Sequence, residues 1–286
     1  MVKNDALGSR MKQYEAVPKN FLMRKTPAVI RLDGKAFHSF TKGLEKPFDS
    51  FLMSVMQKTM LELCREISGC VFGYTQSDEI TLVLTDYASA KTGAWFDYNV
   101  QKMVSVSASV ATLAFNRLWR EDIAVLRDTT PREEKDYEFA DRISVLTSKC
   151  DKALFDARCF SLPKEEVVNC LIWRQKDASR NSVSAVGQAN FSAKELHGKN
   201  SDDIQEMLWQ EKKINWNDFP TACKRGSASY RRHVVTEMQN PYKPDEMILV
   251  ERNPWVLDTE IPIFSQKRDF VEKWLSTTNH LKSDDF

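Results

Sequence analysis

The alternation of apolar and polar positions divides the chain into segments with two different periods. Inside PAVIRLDG, Ala28, Val29, Ile30 and Leu32 make a short apolar run of strand type, closed by Asp33-Gly34. From Pro47 onward the period changes. Phe48, Phe51, Leu52, Val55, Met56, Met60, Leu63 and Ile67 recur at helical spacing, with Pro47 near the helix start and Gly69 closing it. CVFGYT and ITLVLT then read as two strands joined by QSDE, a hairpin. Residues 95–119 read as a long helix of small and apolar residues, although SVSASVAT within it is equally compatible with a strand. DARCFSLP reads as a fourth strand ended by Pro163, and EEVVNCLIWRQKDASRNSVSAV as a helix with Glu165 and Glu166 in its first turn. Weaker helical pattern covers 11–24, Ala193–Leu196 and 202–212, and SYRRHVVTEM and EMILVERN read as strands. The charge-rich stretch 121–154 fits no element and is read as a surface insertion.

The order strand, helix, hairpin, helix, strand is the outline of an α+β fold: a ferredoxin-like or polymerase-palm antiparallel sheet with helices on one face. The remaining chain reads as a C-terminal extension of helices and strands. The expected division is a palm-like domain at 1–163 and a C-terminal domain at 164–286. A palm supports many chemistries, so function has to come from the site.

Composition narrows the classes. At 286 residues with 42% apolar side chains the chain can bury a substantial core. A formal net charge of +1 offers no bulk attraction to nucleic acid, so any RNA surface has to be a local basic cluster. The six cysteines include no C-x-x-C pair, which argues against a zinc ribbon. The start MVKNDALGSR has no apolar signal core, and no apolar run is long enough to span a bilayer. These features predict a soluble cytoplasmic protein with reduced thiols and no membrane partner.

Two acidic points carry the candidate chemistry. Asp33 ends the first strand, and Asp78 and Glu79 sit at the hairpin turn. In the expected sheet these places lie at one end of neighbouring central strands. Two carboxylates held close repel unless a cation joins them. Magnesium is the natural choice, since it takes hard oxygen ligands and leaves room for phosphates. Two such ions would activate an attacking hydroxyl and stabilise leaving pyrophosphate. Gly34 would let backbone approach a metal or a phosphate. Glu79 follows Asp78 in a strand, so its side chain faces the other way and it is not expected to ligate metal. Asp-Gly and Ser-Asp-Glu are equally ordinary turn sequences, and either motif alone stays open to that reading. ACKRGSASYRRH places Lys224, Arg225, Arg231 and Arg232 around Tyr230, a composition that suits an RNA backbone or, alternatively, a protected sheet edge.

The words around the carboxylates are more specific. IRLDGKAFHSF resembles the strand-and-turn motif of the tRNA-His guanylyltransferases, and GYTQSDEITLVL resembles that family's hairpin. KPFDS, Trp95-Phe96, FDAR at 155–158 and WRQKDASRNS from Trp173 match in the same order, so the resemblance runs from about Met11 to Arg231. It implies a nucleotidyltransferase that activates a tRNA 5′ end with ATP or GTP and adds nucleoside triphosphates in the 3′-to-5′ direction. By resemblance, Asp33, the Gly34 carbonyl and Asp78 hold two magnesium ions, with Asp33 and Asp78 catalytic. Asp33, Gly34, Lys35, Ala36, Phe37, His38, Ser77 and Asp78 then contact the incoming nucleotide. Lys46, Asp49, Lys102 and Arg158 match positions for 5′-end activation and triphosphate binding. Asn181, Lys224, Arg225 and Arg231 are the expected tRNA contacts, and a homotetramer is the implied assembly. The family's eukaryotic His-Ile-Asn-Asn-Leu-Tyr-Asn signature is here Ser179-Arg180-Asn181-Ser182-Val183-Ser184-Ala185, and its DGR-N-F-H is Asp33-Gly34-Lys35-Ala36-Phe37-His38. Both changes resemble the guanylyltransferase-like branch, which repairs 5′-truncated tRNAs on a template, as opposed to obligatory guanylate addition to tRNA-His. The rival reading is a palm-fold cyclase or nucleotidyltransferase that acts on small nucleotides without RNA.

Overall fold

The computed structural model describes residues 5–89, 91–131, 134, 136–240 and 242–276. In chain order it runs α1 (Ala6–Ala16), β1 (Ala28–Gly34), α2 (Phe37–Phe40), α3 (Ser50–Glu66), β2 (Cys70–Gln76), β3 (Glu79–Leu84), α4 (Val100–Thr129), α5 (Tyr137–Thr147), β4 (Phe155–Ser161) and α6 (Lys164–Asn190). It continues through α7 (Ala193–Leu196), α8 (Ser201–Met207), α9 (Thr221–Arg225), β5 (Ser227–Arg231), β6 (Val234–Asn240), β7 (Lys243–Arg252), β8 (Trp255–Asp258) and α10 (Asp269–Glu272). The antiparallel sheet has the order β4-β1-β3-β2-β5-β8, whose first four strands follow the ferredoxin-like pattern. β5 and β8 extend it past β2, so one sheet crosses residue 163. β6 and β7 form a separate two-stranded hairpin.

Alternation along each strand assigns the two faces. Ala28, Ile30 and Leu32 of β1 join Ile80, Leu82 and Leu84 of β3 in a core closed by α3 and α4. Val55, Met56, Met60 and Leu63 bury the helical stripe of α3, and Met103, Ala111, Phe115 and Trp119 that of α4. The helices on one face are therefore as expected. The opposite face is covered by the extension: Val167, Val168 and Leu171 of α6, with Ile261, Phe264 and Val271, pack on Phe72, Tyr74 and Val83.

Several local expectations change. The helical pattern at 11–24 is realised earlier, as α1, because Pro18 brings no N–H and disfavours helix at Val17 before it. The helix expected from 95 begins at Val100, where the Asn99 side chain accepts from the Lys102 amide at 3.0 Å. Phe96, Asp97 and Tyr98 before it take positive φ. SVSASVAT lies within α4. The stretch 121–154 holds the last turns of α4 and all of α5, with residues 132, 133 and 135 outside the described set. It is tied to the core: Ile143 and Leu146 are buried, and the Trp119 indole N–H donates to the Leu146 carbonyl at 2.9 Å. Most of its charges face solvent, which masked the amphipathic period, while Lys149 and Arg142 turn inward to the Lys42 carbonyl and to Asp49. SYRRHVVTEM proves to be two strands, β5 and β6, in different sheets.

All six cysteines are free thiols. Among the described residues no helix is long and apolar enough to cross a membrane.

Trp119 has no exposed surface and meets the rings of Phe40, Phe51 and Phe115. Replacing it by alanine leaves a cavity under α5 and takes the indole donor from the Leu146 carbonyl, which keeps the Lys149 amide at 3.1 Å. Trp119→Ala should cost about 3–5 kcal/mol in urea unfolding, and the idea that α5 belongs to the core is wrong if the midpoint does not move.

Candidate active site

Sheet register creates the site. β1 and β3 pair so that Asp33 stands opposite Glu79, and the Gly34 amide donates to the Asp78 carbonyl at 3.0 Å. The β1 end therefore lies beside the β2–β3 turn, in which Ser77 takes a left-handed φ of 50°. On the other side of β1, Asp33 stands opposite Asp156, and Arg31 opposite Arg158. The Arg158 Nη2 reaches the Asp156 Oδ1 at 3.0 Å and the Asp33 Oδ2 at 3.9 Å.

Asp78 is half-buried, and burial holds its carboxyl above the usual carboxylate range, with the Asp33 charge pushing the same way. Such a pair invites a cation. Among the described residues no three His, Cys, Asp or Glu side chains gather into a metal cage. Two carboxylates beside backbone oxygens form an open donor set, which fits magnesium, an ion that keeps several waters and takes substrate phosphates.

The segment after β1 is shaped by packing. Ala36 adopts a left-handed φ of 56°, and the Lys35 amide donates to the Leu154 carbonyl at 2.8 Å. The Phe37 side chain belongs to the core, so only its backbone is left for the expected nucleotide contact: its ring stacks on Phe40 at 4.8 Å and meets Phe155 at 5.3 Å. The ring occupies the space where a Gly34 Cβ would stand, so that position admits only glycine without rearrangement. Lys35 and His38 are exposed beside it.

A cleft of about 250 Å³ opens next to the turn. Its walls come from the approach to α3, the β2–β3 turn, the middle of α6, and the α9–β5 junction; Lys46, Ser77 and Asn181 all line it. Three residues expected to serve different parts of a reaction thus share one cleft. Asp49 also lines it, yet its carboxylate is committed inward. It caps α3 through the Leu52 amide at 2.9 Å, accepts from the Glu45 amide at 2.9 Å, and pairs with Arg142 at 2.7 Å. Its geometry is that of a brace for the Lys46 turn, and a direct triphosphate ligand would need that brace broken.

Other expected residues lie apart. Lys102 is exposed in the first turn of α4, its ammonium 5.6 Å from the Phe96 ring. Lys224 is turned to the Asn217 carbonyl, and Arg225 donates to the Ile261 carbonyl at 3.1 Å. Arg231 remains exposed, its guanidinium 5.4 Å from the Trp255 ring. Asn181 is exposed at the cleft.

Arg31 was not anticipated. It precedes Asp33 by one strand period, so it shares Asp33's face, and it lies 5.5 Å from the Trp173 ring of α6. The alternation was available as a signal. The buried pair of Glu79 and Arg174, 2.6 Å apart, was not, since nothing in the sequence says that α6 crosses that strand end.

The sequence model described as tRNAHis guanylyltransferase matches residues 8–163. A solved bacterial tRNA(His) guanylyltransferase-like protein in complex with ATP is 38% identical with a TM-score of 0.76, covering 95% of this chain and 100% of that one. A bacterial protein of the same description in complex with GTP is 36% identical, with a TM-score of 0.72 over 95% of this chain and 99% of that one. The tRNA(His) guanylyltransferase of Schizosaccharomyces pombe is 28% identical over 79% of this chain and 81% of its own length.

Two predictions follow from the carboxylates. A raised Asp78 pKa means the folded protein binds that proton more tightly than the unfolded chain does, so ionised Asp78 costs stability above its folded pKa and nothing below the unfolded one. Asp78→Asn should therefore melt higher than the parent at neutral pH in EDTA, with the gap closing in acid. Asp49→Ala loses a cap and leaves Arg142 with Glu45 alone, 3.5 Å away; it should lower the unfolding free energy by about 2 kcal/mol, as read by denaturant titration.

Proposed function

The chain belongs to the tRNAHis guanylyltransferase family and is a nucleotidyltransferase, and from that premise we propose that it adds nucleotides to the 5′ end of tRNA in the 3′-to-5′ direction, after ATP or GTP has activated that end. The observation that carries the reading is that Asp33 and Asp78 lie at one end of neighbouring central strands, beside a cleft of about 250 Å³.

Asp33, Asp78 and the Gly34 carbonyl are the groups that would hold two magnesium ions. When bound, these ions supply the charge that lowers the pKa of an attacking hydroxyl and stabilises leaving pyrophosphate. The protein's own contribution is orientation and charge. The Gly34–Asp78 backbone bond and the β1–β3 ladder fix the two aspartates to rigid strands. Arg158, beside Asp33, can offer two parallel N–H donors to a polyphosphate, and Lys46 can offer a point charge from the cleft mouth. Arg31, on the same face, adds a further cation near the same strand end. Ser77 lines the cleft, the segment 34–38 leaves β1 beside the Gly34–Asp78 bond and would offer its backbone to an incoming nucleotide, and the Asp49 brace fixes the turn that presents Lys46.

Within the family, the replacement of the eukaryotic signature by residues 179–185 favours templated repair of a 5′-truncated tRNA over guanylate addition to tRNA-His alone. Asn181 and Arg231 are the exposed members of the proposed tRNA surface, whereas Lys224 and Arg225 would have to leave carbonyl partners to reach RNA. The proposed organisation keeps catalysis on 1–163 and gives 164–286 a part in tRNA binding and in assembly of a homotetramer.

The test is direct. The protein is incubated with magnesium, labelled nucleoside triphosphates and a tRNA lacking its first 5′ nucleotide. Extension by the template-matched nucleotide is expected, and Asp33→Ala and Asp78→Ala should each lose about 3 kcal/mol or more of transition-state stabilisation. A nucleotide product made without RNA would point to a cyclase and overturn the proposal.

A further inference from the structure

Glu79 stands directly after Asp78 and directly opposite Asp33, so three carboxylates converge on one strand end. Left free, the third would repel the other two and would compete for any cation they attract. It is not free. Arg174, from the middle of α6, grips it with two parallel bonds, Nε to Oε1 at 2.7 Å and Nη2 to Oε2 at 2.6 Å. Both partners are buried, at 7% exposure each. Thr81 lies 3.3 Å from the same carboxylate, and the Thr75 hydroxyl donates to the Glu79 carbonyl at 2.9 Å.

Arg174 is itself held on every side. Its Nη2 also bonds Asp177 at 3.0 Å, and Arg180 holds the other oxygen of Asp177 at 2.7 Å. Its guanidinium lies 4.5 Å from the Trp173 ring centre. Arg174 is thus a fixed fork, and stability alone does not account for a buried charge pair of this kind, since an apolar pair of equal volume is often as stable.

We propose that Arg174 is a positioning residue for the nucleotidyl-transfer site: by clamping and neutralising Glu79 it presents Asp33 and Asp78 as an isolated carboxylate pair and locks the turn that carries Asp78 to α6. This rests on the function proposed above. Two effects follow. Glu79 is withheld as a ligand, so a cation is shared by two carboxylates and not drawn toward a third. The turn is also anchored to the helix that bears Asn181, so the cleft wall and the catalytic carboxylates move as one body.

The experiment separates these effects from simple scaffolding. Mn²⁺ binding to the nucleotide-free full-length protein is measured by electron paramagnetic resonance, alongside single-turnover tRNA extension against Mg²⁺ concentration. Arg174→Ala should bind Mn²⁺ several-fold more tightly, because ligand charge has been added, and extend tRNA about 10–100-fold more slowly at saturating Mg²⁺, the usual loss when a group that orients metal ligands is removed. Arg174→Lys keeps the charge without the fork, so its Mn²⁺ affinity should stay near the parent's while extension still falls about tenfold or more. The paired variant Arg174→Met with Glu79→Gln, which leaves no stranded charge, should return Mn²⁺ affinity to the parent value.

Parent-like Mn²⁺ affinity and parent-like Mg²⁺ dependence in folded Arg174→Ala would overturn the inference. If Arg174→Ala does not fold, full extension activity in Arg174→Lys overturns it instead. A parent protein that never extends tRNA would defeat the proposed function, and the Mn²⁺ comparison would then decide the role of Arg174 by itself.

Discussion

The β1–β3 ladder is the constraint on which the site depends. Its register sets Asp33 against Glu79, and the backbone bond from Gly34 to Asp78 continues the pairing by one step into the turn. A slip of one residue would reverse the face of every side chain on β1. Ile30 and Leu32 would then leave the core under α3 and α4, and Asp33 would point into it. The apolar residues that make the core and the acidic residue that makes the site are therefore locked by one alternation, and selection for a stable core also protects the position of the carboxylate.

The two faces of the sheet divide the work. The face under α3 and α4 is almost wholly apolar and sets the architecture, with Trp119 and Phe115 filling the space down to α5. The face under α6 mixes Phe72, Tyr74 and Val83 with charged residues at the strand ends. There Arg31, Asp33, Glu79 and Arg158 sit on or beside β1, and α6 brings Trp173, Arg174 and Asp177 to meet them. Burial makes this face costly: Asp78 is held above the ordinary carboxylate range by its surroundings.

Glycine and phenylalanine show how packing and chemistry share one turn. Phe37, which the family resemblance grouped with the nucleotide contacts, is an anchor whose ring lies where a Gly34 side chain would stand. Asp49 is a similar case, a conspicuous acid in the right neighbourhood whose oxygens already serve the start of α3 and Arg142. In both positions the side chain is committed to the fold. Sequence motifs do not separate such support from contact, because both are required at fixed spacing.

What the sequence determined by itself was the local and periodic part: the strands, the hairpin, the long helices, the order that implies a ferredoxin-like sheet, and the aspartates closing β1 and the hairpin turn. These follow from short-range alternation and turn chemistry, which are written residue by residue. The stretch 121–154 escaped because its charges outnumber the few apolar positions, such as Ile143 and Leu146, that bury it. Only the tertiary structure decided that α6 crosses the strand end with Arg174 on Glu79, that Lys46, Ser77 and Asn181 share a cleft, and that Arg225 turns inward to Ile261. Those are contacts between segments distant along the chain, and their partners are chosen by how helices pack on a twisted sheet, a choice that no local pattern encodes.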